Sequence, residues 1–183
     1  MVAIIILVLL ALALIVPYNN LTRRRNQVDN AFGAIDAMLK KRFDLLPNLV
    51  ATVQQYAAHE KETLEQITAL RAKNYAAMNP AEKADFDRSF NTASRRFFLV
   101  AERYPQLRAS ENFLQLQRSL NEIEEQLSAA RRTYNAAVTD YNNAVMTFPS
   151  NLVAGLFGFT RKEVLSIPEA ERANPNVKEL FRS

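Results

Sequence analysis

Residues 111–145 read ENFLQLQRSLNEIEEQLSAARRTYNAAVTDYNNAV, and this stretch decides the class of fold. Apolar and aromatic side chains recur here at steps that alternate between three and four residues. The positions are Phe113, Leu116, Leu120, Ile123, Leu127, Ala130, Tyr134, Ala137, Tyr141 and Ala144 or Val145. This spacing places them on one face of a long α-helix. Because the period of about 3.5 residues is sustained, it also predicts left-handed supercoiling with partner helices.

A second apolar stripe precedes this helix and recurs about every 3.6 residues, which is the period of an α-helix. Its members are Val28, Phe32, Ile35, Leu39, Phe43, Leu46, Val50 and Val53. The stripe stays in phase across Pro47, which favours one continuous, kinked helix. A break at Pro47, with Asp44 as N-cap, is the alternative, and it would give the bundle four helices rather than three.

A third stripe lies between two helix boundaries. Asn79 and Pro80 form a helix start, with asparagine as N-cap and proline at the first helical position. The stripe ends at Pro105, and Ser110 then caps the helix of residues 111–145. Its members are Phe86, Phe90, Ala93, Phe97, Val100 or Ala101, and Tyr104. We expect its phenylalanines in the core rather than in a ligand pocket. Since the connections are short, successive helices should pack antiparallel.

The composition excludes several other classes of protein. The 183 residues include three glycines, one histidine and no cysteine. So few glycines argue against a β-sandwich, a doubly wound α/β enzyme and a P-loop NTPase. Without cysteine there is no disulfide, Cys-ligated zinc, iron–sulfur cluster or thiol nucleophile. We therefore expect an all-α protein without a cofactor.

The first sixteen residues, MVAIIILVLLALALIV, form an unbroken apolar run. As a helix they span only about 24 Å of a hydrocarbon core that is roughly 30 Å thick. Continued through Leu21, the helix reaches about 31 Å and places Tyr18 as an interfacial anchor. We predict one transmembrane helix over residues 1–21. A cleaved signal peptide is the alternative, but the run lacks a basic n-region and continues past the small-x-small tripeptide Ala11-Leu12-Ala13.

Basic residues follow the predicted span and no charged side chain precedes it. They are Arg23, Arg24 and Arg25, then Lys40, Lys41 and Arg42. The positive-inside rule places the N-terminus outside and the bundle in the cytoplasm. The arginine triplet is a stop-transfer signal that can also bind anionic lipid headgroups. A nucleic-acid partner is not expected, because residues 60–110 mix nine basic with seven acidic side chains and form no clustered basic face.

The chain changes character after the bundle, which we place at residues 22–148. Within the remainder, residues 149–183, the segment 151–159 (NLVAGLFGF) is nearly all apolar and too short to span a bilayer. It is expected either as a flap packed on the bundle end or as a contact with the membrane surface or another subunit. The candidate contact residues are Leu152, Val153, Leu156, Phe157 and Phe159. From residue 160 the tail is polar and is predicted to be a strap or partly disordered.

Neither a catalytic nor a metal site is predicted. His59 and Glu62 lie three residues apart on one predicted helix and resemble half of a di-iron carboxylate motif in reversed order. A complete site needs acids that face inward on other helices. Glu122, Glu124 and Glu125 instead flank the apolar stripe and are expected in solvent.

Two tyrosine–asparagine pairs, Tyr134-Asn135 and Tyr141-Asn142, lie one heptad apart. We expect buried tyrosines whose hydroxyls bond to neighbouring polar groups. The alternative is a polar ladder that fixes helix register within or between subunits.

Several linked motifs occur in order between residues 18 and 159. They are Tyr18-Asn19, Arg25-Asn26-Gln27-Val28, Ile35-Asp36, Lys41-Arg42-Phe43-Asp44-Leu45-Leu46-Pro47-Asn48-Leu49-Val50, Tyr56-Ala57-Ala58-His59-Glu60, Ala101-Glu102-Arg103-Tyr104-Pro105-Gln106-Leu107, Glu111-Asn112-Phe113, Ala130-Arg131-Arg132-Thr133-Tyr134-Asn135, Tyr141-Asn142-Asn143 and Phe148-Pro149-Ser150-Asn151-Leu152. Together they resemble the LemA family of bacterial membrane proteins. The resemblance implies one N-terminal membrane helix, a helical-bundle body and no established catalytic residues. It also implies an association with membrane organisation, including the formation of membrane-bounded organelles.

The expected function is that of a non-enzymatic, single-pass membrane scaffold that binds lipid, forms homo-oligomers and organises or remodels the membrane. A membrane-tethered adaptor that binds another protein, such as a protease or a sensor, is the alternative. An enzyme or ion-binding bundle would require acidic side chains inside the core.

Overall fold

The computed structural model describes residues 1–165, and within that range every regular element is a helix. The elements are α1 (Val2–Tyr56), α2 (Lys61–Arg71), a 3₁₀ turn (Tyr75–Ala77), α3 (Pro80–Arg103), α4 (Pro105–Arg108), α5 (Glu111–Met146) and α6 (Ser150–Phe157). The all-α prediction, with a long apolar helix at the N-terminus followed by packed helices, is confirmed.

The chain divides into two compact units. The central unit comprises residues 33–130, and the terminal unit combines residues 1–32 with the chain from residue 131 onward, described to residue 165. Helices α1 and α5 contribute to both units, α2 to α4 belong to the central unit, and α6 belongs to the terminal unit.

The central unit is an up-down-up-down bundle, because polar contacts fix the direction of each helix. The pairs are Asp36–Lys83 and Arg42–Asp87 between α1 and α3, Glu60–Arg103 and Glu62–Arg96 between the start of α2 and α3, and Lys41–Gln126 and Arg42–Glu124 between α1 and α5. Between α1 and α3, a higher residue number in one helix pairs with a higher number in the other. In the other two sets, a higher number in one helix pairs with a lower number in its partner. Thus α1 and α3 are parallel, and α2 and α5 run against them.

Pro47 does not interrupt α1. It lies on the exposed side of the helix, where water can hydrate the carbonyl that its ring leaves without a donor. One turn on, the Thr52 hydroxyl donates to the Asn48 carbonyl at 2.7 Å. The helix continues across Pro47, as the sequence favoured, and the alternative break with Asp44 as N-cap is not found. The expected count of three bundle helices is nevertheless wrong, because α1 ends after Tyr56 and α2 forms a fourth.

The first helix ends instead after Tyr56, where the chain contains neither glycine nor proline. The turn is stabilised by contacts with the rest of the central unit. Glu60 accepts hydrogen bonds from the Tyr104 hydroxyl at 3.1 Å and from Arg103 at 3.0 Å, and Ala57 is buried. Such tertiary contacts outweigh local helix propensity.

This break separates His59 from Glu62. His59 lies exposed in the turn, whereas Glu62 lies in α2 and binds Arg96 of α3. The prediction that the two side chains share one helix face is therefore wrong, because no single helix holds both of them.

Both predicted helix starts are confirmed. The Asn79 side chain accepts from the Glu82 N–H at 3.0 Å, and the Glu82 carboxylate accepts from the Asn79 N–H at 2.7 Å, which is a capping box. The Ser110 hydroxyl accepts from the Phe113 N–H at 3.2 Å. The three phenylalanines of the predicted stripe in α3 are buried as expected, namely Phe86, Phe90 and Phe97.

In α5 the buried residues follow the predicted stripe as far as Leu127 and then change position. Arg131 and Val138 are buried in place of the predicted Ala130 and Ala137, which are only partly buried like Tyr134, whereas Tyr141 is buried as the stripe predicts. The core of the terminal unit consists of Leu21, Val28, Val138, Tyr141, Val153, Ala154 and Phe159. Within this unit α1 and α5 are antiparallel, as the contacts Arg24–Asp140 and Phe32–Tyr134 show.

Candidate membrane-interface site

The N-terminal part of α1 is long and apolar enough to cross a membrane. Its most apolar 18-residue window has a mean hydropathy of 2.7, and none of that window is buried in the protein. Leu21 is the first buried residue along the chain, at 0 % exposure. The surface of α1 therefore changes from exposed and apolar to packed at the residue where the sequence predicts the span to end.

An aromatic cluster surrounds this transition. The Tyr18 ring lies 4.9 Å from the Phe157 ring and 5.6 Å from the Phe159 ring, both in edge-to-face geometry. The Arg25 guanidinium lies 5.3 Å from the centre of the Phe159 ring, within cation–π range. Tyr18 and Arg25, two of the four predicted membrane-interface residues, thus contact the segment 151–159.

The other two predicted interface residues are the remaining arginines of the triplet. Arg24 donates to the Asn20 side chain at 3.2 Å and to the Asp140 carbonyl at 3.4 Å, so it joins α1 to α5. Arg23 is exposed. The triplet therefore has one member that packs on an aromatic ring, one that links two helices and one that faces solvent.

Helix α6 has two faces of different exposure. Val153 and Ala154 are buried in the core of the terminal unit, whereas Leu152, Leu156 and Phe157 are 65 %, 70 % and 52 % exposed. The helix carries no charged residue. Of the five predicted contact residues, the structure thus buries Val153 and Phe159 inside the unit and leaves three apolar side chains on the surface.

Gly158 ends α6. Its φ is 72°, in the left-handed region, and the Phe159 N–H donates back to the Ala154 carbonyl at 2.9 Å. This is a C-terminal cap that glycine adopts without steric cost. It turns the chain so that the Phe159 ring enters the core beside Tyr18.

Two asparagines bind the segment that follows. We call residues 160–165 the strap. Asn142 donates to the Lys162 carbonyl at 2.8 Å and accepts from the Lys162 N–H at 2.9 Å. Asn135 forms the same pair of bonds with Leu165, at 2.9 Å and 2.8 Å. We call these two side chains the asparagine clamps.

The tyrosines beside the clamps have separate roles. The Tyr134 hydroxyl donates to the Glu163 carbonyl at 3.5 Å, and Tyr141 is buried. The expectation of buried tyrosines with bonded hydroxyls is met only in part, because Tyr134 forms the bond but is only partly buried. A polar ladder is also present, but it holds the strap and not the register of helices. The heptad spacing of Tyr-Asn pairs was the sequence signal for it.

The remainder of the predicted tail, residues 166–183, lies outside the described part of the chain.

The central unit contains a buried charge that the sequence reading missed. Arg42 is 2 % exposed and forms ion pairs with Asp87 and Glu124, a hydrogen bond to Asn91 at 3.0 Å and a stacking contact with Phe90. Arg42 is therefore part of the bundle core rather than a free juxtamembrane charge. Glu124 is exposed, as expected, and from the surface it pairs with this buried arginine.

A second polar group in the central unit joins α1, the 3₁₀ turn and α3. The Asp36 carboxylate accepts from the Tyr75 hydroxyl and from Lys83, each at 2.7 Å. Burial raises the pKa of Asp36, but these two hydrogen bonds outweigh it and leave the pKa below its ordinary value. Burial and the bond to Asp36 raise the pKa of Tyr75. The arrangement stabilises the charged carboxylate and the neutral phenol.

Among residues 1–165, no group of three or more His, Cys, Asp or Glu side chains is placed to bind a metal ion. The polar clusters of Arg42 and Asp36 are ion pairs between helices. The candidate site is therefore the exposed apolar and aromatic surface that the apolar face of α6 forms at the end of the membrane segment.

These features define a membrane-anchored helical-bundle protein. The sequence matches the LemA family over residues 31–178, and the chain belongs to that family. Protein LemA of Metamycoplasma hominis is 30 % identical over 167 residues, which cover 88 % of this chain and 74 % of that protein. Magnetosome proteins MamQ 1 and MamQ 2 of Paramagnetospirillum magneticum are each 34 % identical over 77 residues, which cover 42 % of this chain and only 28 % of either protein.

Proposed function

We propose that this protein is a non-enzymatic scaffold of the bacterial inner membrane that self-assembles and organises the lipid around it. In this proposal α1 crosses the bilayer with its N-terminus outside, and the helical bundle lies in the cytoplasm. The observation that carries the proposal is the exposed apolar face of α6, formed by Leu152, Leu156 and Phe157, beside Tyr18 at the end of the membrane segment.

The physical argument begins with solvation. A leucine or phenylalanine side chain gains about 1.5–3 kcal/mol when it leaves water, so an exposed face of three such residues favours an apolar contact. Tyrosine is enriched at the boundary between lipid and water. Because Phe157 packs on Tyr18, the face lies at headgroup depth when α1 spans the bilayer. A helix placed there inserts its apolar side chains between lipids.

Two further observations support self-assembly. Copies tethered by one membrane helix are confined to a plane, which raises their effective concentration. The magnetosome proteins that share part of this sequence are named for an organelle, which is consistent with a role in building a structure rather than in catalysis. The arginines after the span support the orientation through the positive-inside rule.

The depth of α6 can be measured because the chain contains no cysteine. A single cysteine at position 156, labelled with a fluorophore, should be quenched by lipids that carry a quencher near the headgroup. Leu99→Cys is the matched control, since Leu99 is also exposed but lies in the central unit. Equal and weak quenching at both positions would refute the membrane contact of α6.

The organising role is tested with full-length protein in vesicles by electron microscopy. Replacing Leu152, Leu156 and Phe157 with serine should abolish assemblies or membrane deformation, whereas replacing the exposed Leu99 and Leu114 with serine should not. A protein that stays monomeric at every concentration contradicts the scaffold. If such a monomeric protein co-purifies from membranes with one other protein in a fixed ratio, the adaptor function replaces the scaffold.

Orientation has its own test. A reporter that functions only in the cytoplasm should be active when it is fused to the C-terminus, and a reporter that functions only outside the cytoplasm should be inactive there. Activity of a reporter that functions only outside the cytoplasm would contradict the proposed topology.

A further inference from the structure

Helix α6 packs against one side of the end of the membrane segment. Val153 and Ala154 of α6 share a core with Leu21 of α1, and the Phe157 ring lies 4.9 Å from the Tyr18 ring. These contacts hold α6 beside α1 rather than in line with it. With α1 across the bilayer, Tyr18 and Leu21 lie at one of its two surfaces, so α6 adds volume to one leaflet only.

The chain exposes further bulky apolar side chains just before α6. Phe148 is 74 % exposed and Met146 is 50 % exposed. With the three exposed residues of α6 they make five such side chains within residues 146–157. Side chains of this size enter the headgroup layer most readily where the lipids are loosely packed and leave gaps.

The same part of the chain lacks charge. Residues 141–160 contain no acidic and no basic residue. The polar side chains of α6 are Ser150 and Asn151, and the Ser150 hydroxyl already bonds to the Ala144 and Thr147 carbonyls. An interfacial helix is held by its buried apolar area and by attraction of its charges to anionic lipids. Because α6 has only the first of these, its membrane contact depends on gaps between lipids.

The neighbouring basic residues do not supply the same selectivity. Arg24 bonds to the Asp140 carbonyl, and Arg25 stacks on the Phe159 ring. Arg23 and Arg161 are exposed. Their attraction to an anionic surface acts across a Debye length and is similar on flat and on gently curved membrane. Discrimination between the two surfaces therefore rests with α6.

We propose that α6 is a one-sided wedge that prefers a convex, loosely packed leaflet, so that the protein concentrates where the membrane bends toward the cytoplasm. This inference rests on the membrane contact that the proposed function gives to α6, and it names the kind of surface that α6 binds. Headgroups are spread apart on a convex surface, so apolar side chains insert there at a smaller cost. Insertion into that leaflet alone stabilises the same curvature in return.

Sorting between flat and curved membrane measures this preference. Full-length Leu99→Cys protein is reconstituted at low density into giant vesicles of phosphatidylcholine and labelled with a membrane-impermeant maleimide dye, which reaches only bundles on the outside. Narrow tubes are then pulled outward. The ratio of protein to lipid fluorescence should be about threefold higher on the tube than on the vesicle. Equal ratios on the two surfaces would overturn the wedge.

Variants of the exposed face show whether α6 causes the sorting. Replacing Leu152, Leu156 and Phe157 with serine in the labelled protein should abolish the enrichment on tubes. The matched control is Leu114→Ser, an exposed leucine of the central unit, and it should leave the enrichment unchanged. All four side chains are exposed, so the cores of both units stay intact. Undiminished enrichment in the triple variant would overturn the proposal, because the sorting would then come from another part of the protein.

The lipid composition separates packing from charge. Because α6 is uncharged, adding phosphatidylglycerol to the vesicles should leave the enrichment on tubes unchanged. Enrichment that occurs only with phosphatidylglycerol would overturn the wedge and would assign the recognition to the exposed Arg23 and Arg161.

The two proposals fail in different ways. If the full-length protein assembles in vesicles but shows no enrichment on tubes, the wedge is wrong and the scaffold stands. If dilute protein is enriched on tubes through α6 but never assembles at any concentration, the scaffold is wrong and the wedge stands.

Discussion

Asn142 forms both of its side-chain hydrogen bonds with the backbone of one residue, Lys162, at 2.8 Å and 2.9 Å. The contact is partly buried and joins residues 20 positions apart. An amide that donates to the C=O and accepts from the N–H of one residue holds that residue in an extended conformation, whatever its side chain is.

The first prediction concerns this clamp. Asn142→Leu should destabilise attachment of the strap by about 1–2 kcal/mol, because each hydrogen bond contributes about 1 kcal/mol net. Trypsin, which cleaves after Arg161 and Lys162, should then cut there about tenfold faster. Asn121→Leu is the control, since Asn121 is an exposed asparagine of the same helix. Equal rates in both variants would argue against the clamp.

The second prediction concerns the buried Arg42. Arg42→Ala should lower the free energy of unfolding by about 3–5 kcal/mol, because it breaks the ion pair that a buried guanidinium forms with Asp87. Denaturant unfolding of the protein in detergent measures this. Lys40→Ala removes the exposed pair with Asp44 and should cost less than about 1 kcal/mol. Similar losses in both would show that Arg42 is not a core residue.

The third prediction separates two kinds of glycine. Gly158→Ala should destabilise the protein by about 1 kcal/mol or more, because alanine is strained at positive φ. Gly155→Ala should stabilise it by about 0.5–1 kcal/mol, since residue 155 is helical and has open space at Cβ. Thermal unfolding compares the two variants. A gain in stability from Gly158→Ala would contradict the capping geometry.

The fourth prediction is a pH dependence. The pKa of Asp36 is lowered in the folded protein, so its contribution to stability is present above the unfolded pKa of about 3.8 and is lost as pH falls through the folded pKa. The stability difference between wild type and Asp36→Asn should therefore be largest near pH 6 and should shrink below pH of about 4. Asp85→Asn, at an exposed site, should show a smaller difference across this range. A difference for Asp36→Asn that grows on acidification would contradict the assignment.

The sequence was sufficient where one local interaction determines the structure. Asn79 and Ser110 cap helices with their own side chains, so the start of each helix followed from residue type and position. The continuity of α1 across Pro47 followed from the phase of the stripe. For both caps the determining contact lies within three residues of the predicted position, and for α1 the periodic pattern lies along the helix itself.

The sequence was insufficient where distant residues determine the structure. The turn after Tyr56 has no local breaker and depends on Glu60 meeting α3. Arg42 is as polar as any surface arginine, and only its position in phase with Leu39 and Leu46 indicated the core. The heptad repeat of the asparagine clamps is visible in the sequence. What they bind could not be predicted, because they bind main-chain atoms of the strap, and main-chain atoms leave no pattern of residue types.

The contact of Tyr18 with Phe157 and Phe159 has a consequence for bilayers of different thickness. The apolar length of α1 is fixed, and the ring contacts hold α6 at a constant distance from its end. In the proposed placement of α6 at headgroup depth, a thicker bilayer would draw Leu152 and Leu156 deeper among the headgroups, and a thinner one would leave them nearer to water. A mismatch between protein and bilayer costs a fraction of a kcal/mol per Å. In that placement, one helix and three aromatic rings would match the protein to membrane of a particular thickness.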